Sequence, residues 1–491
     1  MKKKYVRWTL WTIASPFILF IILCILIYLP PIQNFLVDKA AVYASEATGM
    51  NISVGRISLS FPLNLVVTNV DAASPHNDTL LSVRRLQVNV QLLPLLKKQV
   101  EVDGISLQGA TVNSNDLIHG MKLNGTLGEL FISSHGVALD PETAIVNKVL
   151  LKDTDLSLCL NDTAAADTAA SDTTYWKIIL QDIDLQNVSF ALDMPLDSLS
   201  LAASLDNAIL RDGLIDLHKS AYSLQTFRIE NGRVRYDNGK PLAADSLSSG
   251  LDPSHIALTD IGVKLDSLYY EGRNMKAIIS QFVLKERSGV EIVSATGRMV
   301  SNDKVLRVPS LKLETRDSYL ELNAAMDWNA LDFKGEGLMS ARLMADIGKP
   351  DVVRFMGRMD EKFVRQYPSE PLRIRTGIDG DLNKLKLTTL TAELPGALGL
   401  FARGELTHLT DSLLRGGDIT LEAETKDLKF VSTLAEGIEI PYGTRLEGKF
   451  TMAGTKMGTD LLLMQPEAQA VAAADTIPIT CLLYTSDAAD E

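Results

Sequence analysis

The residues that could do chemistry are scattered along this chain rather than gathered. The six histidines, His76, His119, His135, His218, His255 and His408, form neither an HExxH pair nor part of a Cys/His cluster, the spacings that hold a metal. Cys24, Cys159 and Cys481 are far apart, so they offer neither a disulfide framework nor metal-ligand spacing. No Walker loop, GxSxG elbow or GxGxxG turn stands at a strand-to-helix junction. The acidic pairs Asp153/Asp155 and Asp182/Asp184 could in principle form a carboxylate dyad. They fall on the polar side of predicted strands, where nothing predicts a cleft that would shift their pKa values. The expectation is a protein that is not an enzyme, with no catalytic, cofactor or metal residues. The Asn-x-Ser/Thr triplets at Asn124 and Asn187 are glycosylation sites only in a eukaryotic secretory setting.

The elements that fill the space between these residues are one-sided strands. Leu86, Val88, Val90 and Leu92 alternate with Gln87, Asn89 and Gln91, the period-2 pattern of a strand with one wet face. After a break at 93–98, apolar side chains return at Val102, Ile105, Leu107, Ala110 and Val112. Two of these steps are three residues long and contain Gly104 and Gly109; a bulge at each would restore the following side chains to the same face. The same spacing recurs at Leu180, Ile183, Leu185, Val188, Phe190 and Leu192. It returns at Leu224, Phe227, Ile229, Val234 and Tyr236, then at Leu258, Ile261, Val263, Leu268 and Tyr270, and late at Leu382, Leu385, Leu387, Leu390, Ala392 and Leu394. The intervals are uneven, unlike a fixed-length solenoid.

With 491 residues, 46% hydrophobic, 22% charged and 6% aromatic, the chain is neither disordered nor a multispanning membrane protein. A formal charge of −13, with no basic face beyond the N-terminus, argues against nucleic acid as a partner. Residues 1–7 are a basic tail and 8–29 an uncharged apolar run, roughly 33 Å long as a helix and enough to cross a hydrocarbon core of about 30 Å. We read it as a transmembrane anchor with a cytoplasmic N-terminus and the bulk of the chain outside the cytoplasm; a cleaved signal peptide is the competing reading. Residues 31–49 have the spacing of an amphipathic helix that stops at Gly49. Period-2 alternation then runs from Ile57 to Val67, read as one strand demoted in part by Pro62. Strands fill 50–335, with a low-complexity flexible insert at 163–174. Residues 336–360 read as a helical or irregular break, with Leu338–Ile347 and Val352–Met359 as its main candidates. Further strands fill 361–460, and the irregular 461–491 reads as a possible non-native end of an incomplete chain.

Three stretches together resemble the AsmA-like family, nearest to the TamB translocation and assembly module proteins. They are TGMNISVGRISLSFPLNLVVTNV from Thr48, DTLLSVRRLQVNVQLLPLLKK from Asp78 and VEVDGISLQGATVNS from Val100, behind the basic tail and single anchor. RVPSLKLETRDSYLEL from Arg307 and IDGDLNKLKLTTLTAELPGALGLFARGEL from Ile378 look like later strands of the family. The long C-terminal region of TamB-like chains has no counterpart here. The resemblance implies a mainly β fold: an N-terminal transmembrane helix, then an elongated, curled antiparallel β-sheet with few helices, forming an apolar groove. It further implies an inner-membrane, single-pass protein of the periplasm that carries phospholipid between inner and outer membranes in outer-membrane biogenesis. The alternative is a scaffold for assembly of outer-membrane β-barrel proteins through exposed strand edges. The expected lipid-groove residues are Ile105, Leu107, Val112, Ile183, Leu185, Val188, Phe190, Phe227, Ile229, Val234, Ile261, Val263, Leu385 and Leu387. The same residues could instead fill a closed sandwich core.

Overall fold

The computed structural model describes residues 49–464 apart from 61–63, 75–77, 91–101, 115–119, 139–141, 162–174, 240–249, 333–336, 358–359, 435–441 and 455, with short pieces within 39–46 and at 478–480. The expected anchor at 8–29 and the insert at 163–174 lie outside the described residues. Among those described, no helix is long and apolar enough to cross a membrane. In the 31–49 segment, Lys39, Ala41, Val42, Ser45 and Glu46 are helical. Gly49, at φ 70°, donates its N–H to the Ser45 carbonyl at 2.9 Å, the helix stop that its sequence position suggests.

The protein is mainly β and divides into two units, one made of 1–219 with 234–239, the other of 220–233 with 240–491. The first unit holds β1 (Asn51–Ser60), β2 (Asn64–Ala73), β3 (Thr79–Val90), β4 (Val102–Asn113), β5 (Met121–Ala138), β6 (Thr143–Leu160), β7 (Lys177–Met194) and β8 (Leu199–Asp216). Each strand pairs with the next in sequence. The expectation of an antiparallel sheet needs one correction, because β6 and β7 run parallel, Thr143 opposite Lys177 through Cys159 opposite Asp193. Parallel neighbours require a crossover of a dozen or more residues, and the 161–176 connection has that length. A second correction concerns Ile57 to Val67. The chain reverses between Ser60 and Asn64, so this is a hairpin rather than one strand. Alternation survives the reversal because Leu59 faces Leu65 and Ile57 faces Val67 on the same side.

The second unit begins with β9 (Ala221–Leu224), which pairs with β11 (His255–Glu271); β10 (Thr226–Asn238) is divided between the units. From β11 the chain meanders through β12 (Asn274–Glu286), β13 (Glu291–Ser301), β14 (Val305–Thr315), β15 (Tyr319–Asp327), β16 (Met339–Ile347), β17 (Leu372–Gly380), β18 (Lys384–Leu394), β19 (Leu398–Thr407), β20 (Gly416–Thr425), β21 (Arg445–Ala453), β22 (Lys456–Met464) and β23 (Pro478–Thr480), every neighbouring pair antiparallel. Pro309 sits where β14 shifts register against β15, a place where its missing N–H costs no ladder bond. Leu338–Ile347, expected to be helical or irregular, is largely strand. Pairing on both sides, Leu343 with Leu322 and with Thr376, outweighs its helix-compatible spacing. Helix does follow it. In α1 (Lys349–Met356) Pro350 occupies the first turn and Gly357 follows the last. In α2 (Glu361–Gln366) the Asp360 carboxylate caps by accepting from Lys362 N at 2.7 Å.

One crease crosses the first unit. Each ladder from β1 to β8 skips an opposed pair at one common level, and the residues skipped there join into a row: Gly55, Asn69, Arg84, Gly109, Gly128, Asp153, Asn187 and Asp206; the β6–β7 and β7–β8 ladders each skip a second pair, at Asn147/Gln181 and Gln181/Asp212. Asn69, Gly109, Asp153 and Asn187 are left-handed there, with φ between 48° and 61°. Asn, Asp and Gly are the residues that tolerate this conformation. Because neighbouring strands carry the extra residue at the same level, the register is unchanged while the side-chain phase resets. The interruption expected at Gly109 falls in this row. The other expected one shows as a register shift of β4 against β3 between Asn89 and Val90, one residue from Gly104.

Candidate functional site: two one-sided apolar faces

The registers place apolar residues in continuous rows across the first unit. One row reads Leu59, Leu65, Val88, Ile105, Ile132, Val149, Ile183 and Leu210; the next reads Ile57, Val67, Leu86, Leu107, Leu130, Leu151, Leu185 and Ala208. Beyond the crease two more rows carry Val70, Val83, Leu127, Val188 and Leu205, and then Leu81, Val112, Leu156 and Phe190. Ile105, Leu107, Val112, Ile183, Leu185, Val188 and Phe190 therefore share one face. The opposite face is polar next to the crease, with Arg56, Thr68, Arg85, Gln108, Glu129, Lys152, Gln186 and Asn207 in a single row.

This apolar face is open in part, although Val83 and Ala208 in its rows are each only 5% exposed. Leu81 and Ile105 are each 36% exposed and Phe190 39%, whereas residues filling a closed sandwich would be nearly inaccessible. Seven strand spacings of about 4.8 Å and a strand rise of about 3.3 Å over seven residues give the face a footprint of roughly 34 Å by 23 Å. Contiguous apolar side chains with exposed members across a face of this extent are the kind of surface that takes part in interactions.

The second unit repeats the arrangement. Ala295, Leu313, Leu320, Ala345, Ile374, Ala392, Leu400, Ala423 and Leu446 form one row. Val308, Ala324, Ala341, Ile378, Leu387, Gly404, Ile419 and Phe450 form another, and Leu385 lies in a third with Leu406 and Gly380. Val263 opposes Phe282 on β12, and Ile261 is nearly buried. Phe227, Ile229 and Val234 lie half-buried on β10. The reverse face of this unit is laced with cross-strand ion pairs, among them Arg375 with Asp346 at 2.7 Å and Lys384 with Glu405 at 3.2 Å.

The acidic pairs singled out above have partners. Arg211 binds both Asp182 and Asp184, the latter at 2.9 Å. Asp153 accepts from the Asn187 amide at 2.8 Å, and Asp155 from the Ser189 hydroxyl at 2.8 Å. These contacts tie β6, β7 and β8 together on the polar side. Among the described residues no three His, Cys, Asp or Glu side chains are grouped as a metal would need.

Two features of the second unit have no conspicuous strand signature. The best-buried cluster joins Phe363 and Tyr367 from the α2 segment to Leu394, Ala397, Leu428 and Phe430. Burial pushes the Tyr367 phenol above its ordinary pKa. Beside α1 lies an apolar cavity of about 480 Å³, lined by Ile256, Leu258, Leu284, Ile292, Leu313 and Leu320 among others. Sequence reasoning marked Leu258 alone of these six as part of the recurring spacing; the others look like ordinary strand residues until the fold brings α1 beside them.

No protein-family model matches the chain, and no curated protein matches it.

Proposed function

We propose that the apolar faces of the two units hold the acyl chains of phospholipid, and that the protein carries lipid between inner and outer membranes as an AsmA-like, inner-membrane-anchored component of outer-membrane biogenesis. The observation that carries this reading is the first unit's set of apolar rows, two of them unbroken over eight strands, with Leu81, Ile105 and Phe190 left exposed. A hydrocarbon chain in water costs about 0.8 kcal/mol per CH₂, so some sixteen carbons exposed together cost roughly 12 kcal/mol. A continuous apolar face removes most of that barrier without any chemical step. The polar reverse face keeps the same sheet compatible with water.

Photo-crosslinking side chains at Ile105, Leu107, Ile183, Leu185 and Phe190 should capture phospholipid in cells. The same groups at Ser106, Asp184 and Ser189, whose side chains point the other way, should not. Leu185→Asp should abolish transfer while leaving the sheet folded by circular dichroism, because water reaches a half-exposed face and the carboxylate stays solvated. Loss of the fold in this variant, with no lipid captured at any position, would overturn the reading. A stoichiometric complex with an outer-membrane β-barrel protein and no bound lipid would favour the scaffold alternative.

A further inference from the structure

The cavity beside α1 differs from the open rows in having helix along one side, since Asp351 and Phe355 line it together with the strand residues. Its floor is continuous with the apolar face of the second unit, since Leu313 and Leu320 both line it and stand in the row that continues through Ala345 and Ile374. That helix is held by Arg354, whose guanidinium binds Asp317 and Asp351 at 3.0 Å each while its carbonyl accepts the Leu251 N–H at 2.9 Å. Gly250, at φ +94°, lies so close to the end of α1 that a Cβ there would meet the Arg354 carbonyl oxygen at 2.8 Å.

The polar groups in the lining are already engaged. Asp351, 1% exposed, accepts from Thr315 Oγ1 and from Ser318 Oγ at 2.6 Å besides binding Arg354. Glu286 accepts from the backbone N–H groups of Ala257 at 3.3 Å and Ser288 at 2.6 Å. A headgroup placed inside would have to break these bonds or go without its own, and a charged one would be costly to bury unpaired. A hydrocarbon chain needs no partner. The volume is that of a ligand-sized site, about 300–1,000 Å³.

We propose that this cavity is the seat of an acyl chain's methyl end: one linear chain lying on the apolar face of the second unit places its terminus against α1, with the polar end left outside. This rests on the lipid reading above and adds where, and in which orientation, a chain is held.

The test uses the full chain and two sixteen-carbon fatty acids, one with a diazirine at the methyl end and one with it beside the carboxylate. After irradiation, peptide mapping should place methyl-end adducts on Leu284 and Ile292 and no carboxyl-end adducts there. Ile292→Phe, which fills the space, should cut capture at Leu284 at least tenfold while leaving capture on first-unit residues such as Leu185 unchanged. A chain-length series should weaken binding about fourfold per methylene removed in the wild type, and this dependence should flatten in the filled variant. If Ile292→Phe fails to fold, the adduct map of the wild type decides alone. Adducts on the open rows with none in the cavity, or equal labelling by both probes, would overturn this inference and leave the lipid reading standing. No adducts on either unit would overturn both.

Discussion

Asn187 sits inside an 18-residue strand at φ 51°, a conformation that most side chains adopt only at a cost. Its amide donates to Asp153 on the neighbouring strand, itself at φ 48°, so both residues are chosen for the crease rather than for a surface. Asn187→Val should lower stability by about 1–2 kcal/mol from the left-handed conformation, and by somewhat more from the lost hydrogen bond. Asn187→Gly should cost much less, since glycine accepts the same φ freely. Denaturant midpoints of the two variants check this, and equal losses would show that packing rather than backbone conformation selects asparagine. This position was legible in part: an Asn at a three-residue step between Leu185 and Val188 signals an interruption. Its alignment with Asp153, 34 residues earlier, was not.

Among the elements, the helical connection between β16 and β17 places two aromatic side chains, Phe363 and Tyr367, in a buried cluster. Phe363 is 1% exposed and meets Phe430 edge-on at 5.8 Å between ring centroids. Phe363→Ala should therefore cost about 3–5 kcal/mol, measurable by chemical unfolding, whereas an apolar-to-Ala change on the half-exposed rows should cost distinctly less. At the entrance to β11, Asp252 is held below the ordinary carboxylate pKa, first by the Ser254 backbone N–H at 2.9 Å and then by the His255 side chain at 3.0 Å. A carboxylate with a depressed folded pKa stabilises above its unfolded value of about 3.9 and loses that contribution as pH falls through the folded value. Asp252→Asn should thus melt lower than wild type at neutral pH, and the two melting temperatures should converge as the pH drops below about 4. A gap unchanged down to acid pH would remove the charge from the explanation.

At the scale of the molecule, each unit is a run of strands whose neighbours in space are mostly neighbours in sequence. Every strand then needs only a neighbour to satisfy its ladder, and the apolar face lengthens with each strand added without having to close on itself. The lipid reading also assigns residues 8–29 a role as the tether to the inner membrane. Deleting residues 1–30 should release the product into the soluble periplasmic fraction, and a reporter active only outside the cytoplasm should work when fused after about residue 60. Recovery of a mature protein cut between 29 and 50 would show a signal peptide instead.

Strand content, one-sidedness and the re-phasing steps were determined by the sequence, because side chains alternate with period 2 and a bulge changes that period in a way that can be counted along the chain. Ile183, Leu185, Val188 and Phe190 could be assigned to one face on that basis alone. The chain reversal between Ser60 and Asn64 escaped because alternation continues unbroken through a hairpin. The strand at Met339–Ile347 escaped because two flanking strands, rather than local propensity, decide its conformation. The parallel pairing of β6 with β7 and the crease shared by eight strands depend on which strands become neighbours. The half-exposure of the rows and the cavity beside α1 depend on what, if anything, packs above them. Those are contacts between residues distant in the chain, and no local periodicity encodes them.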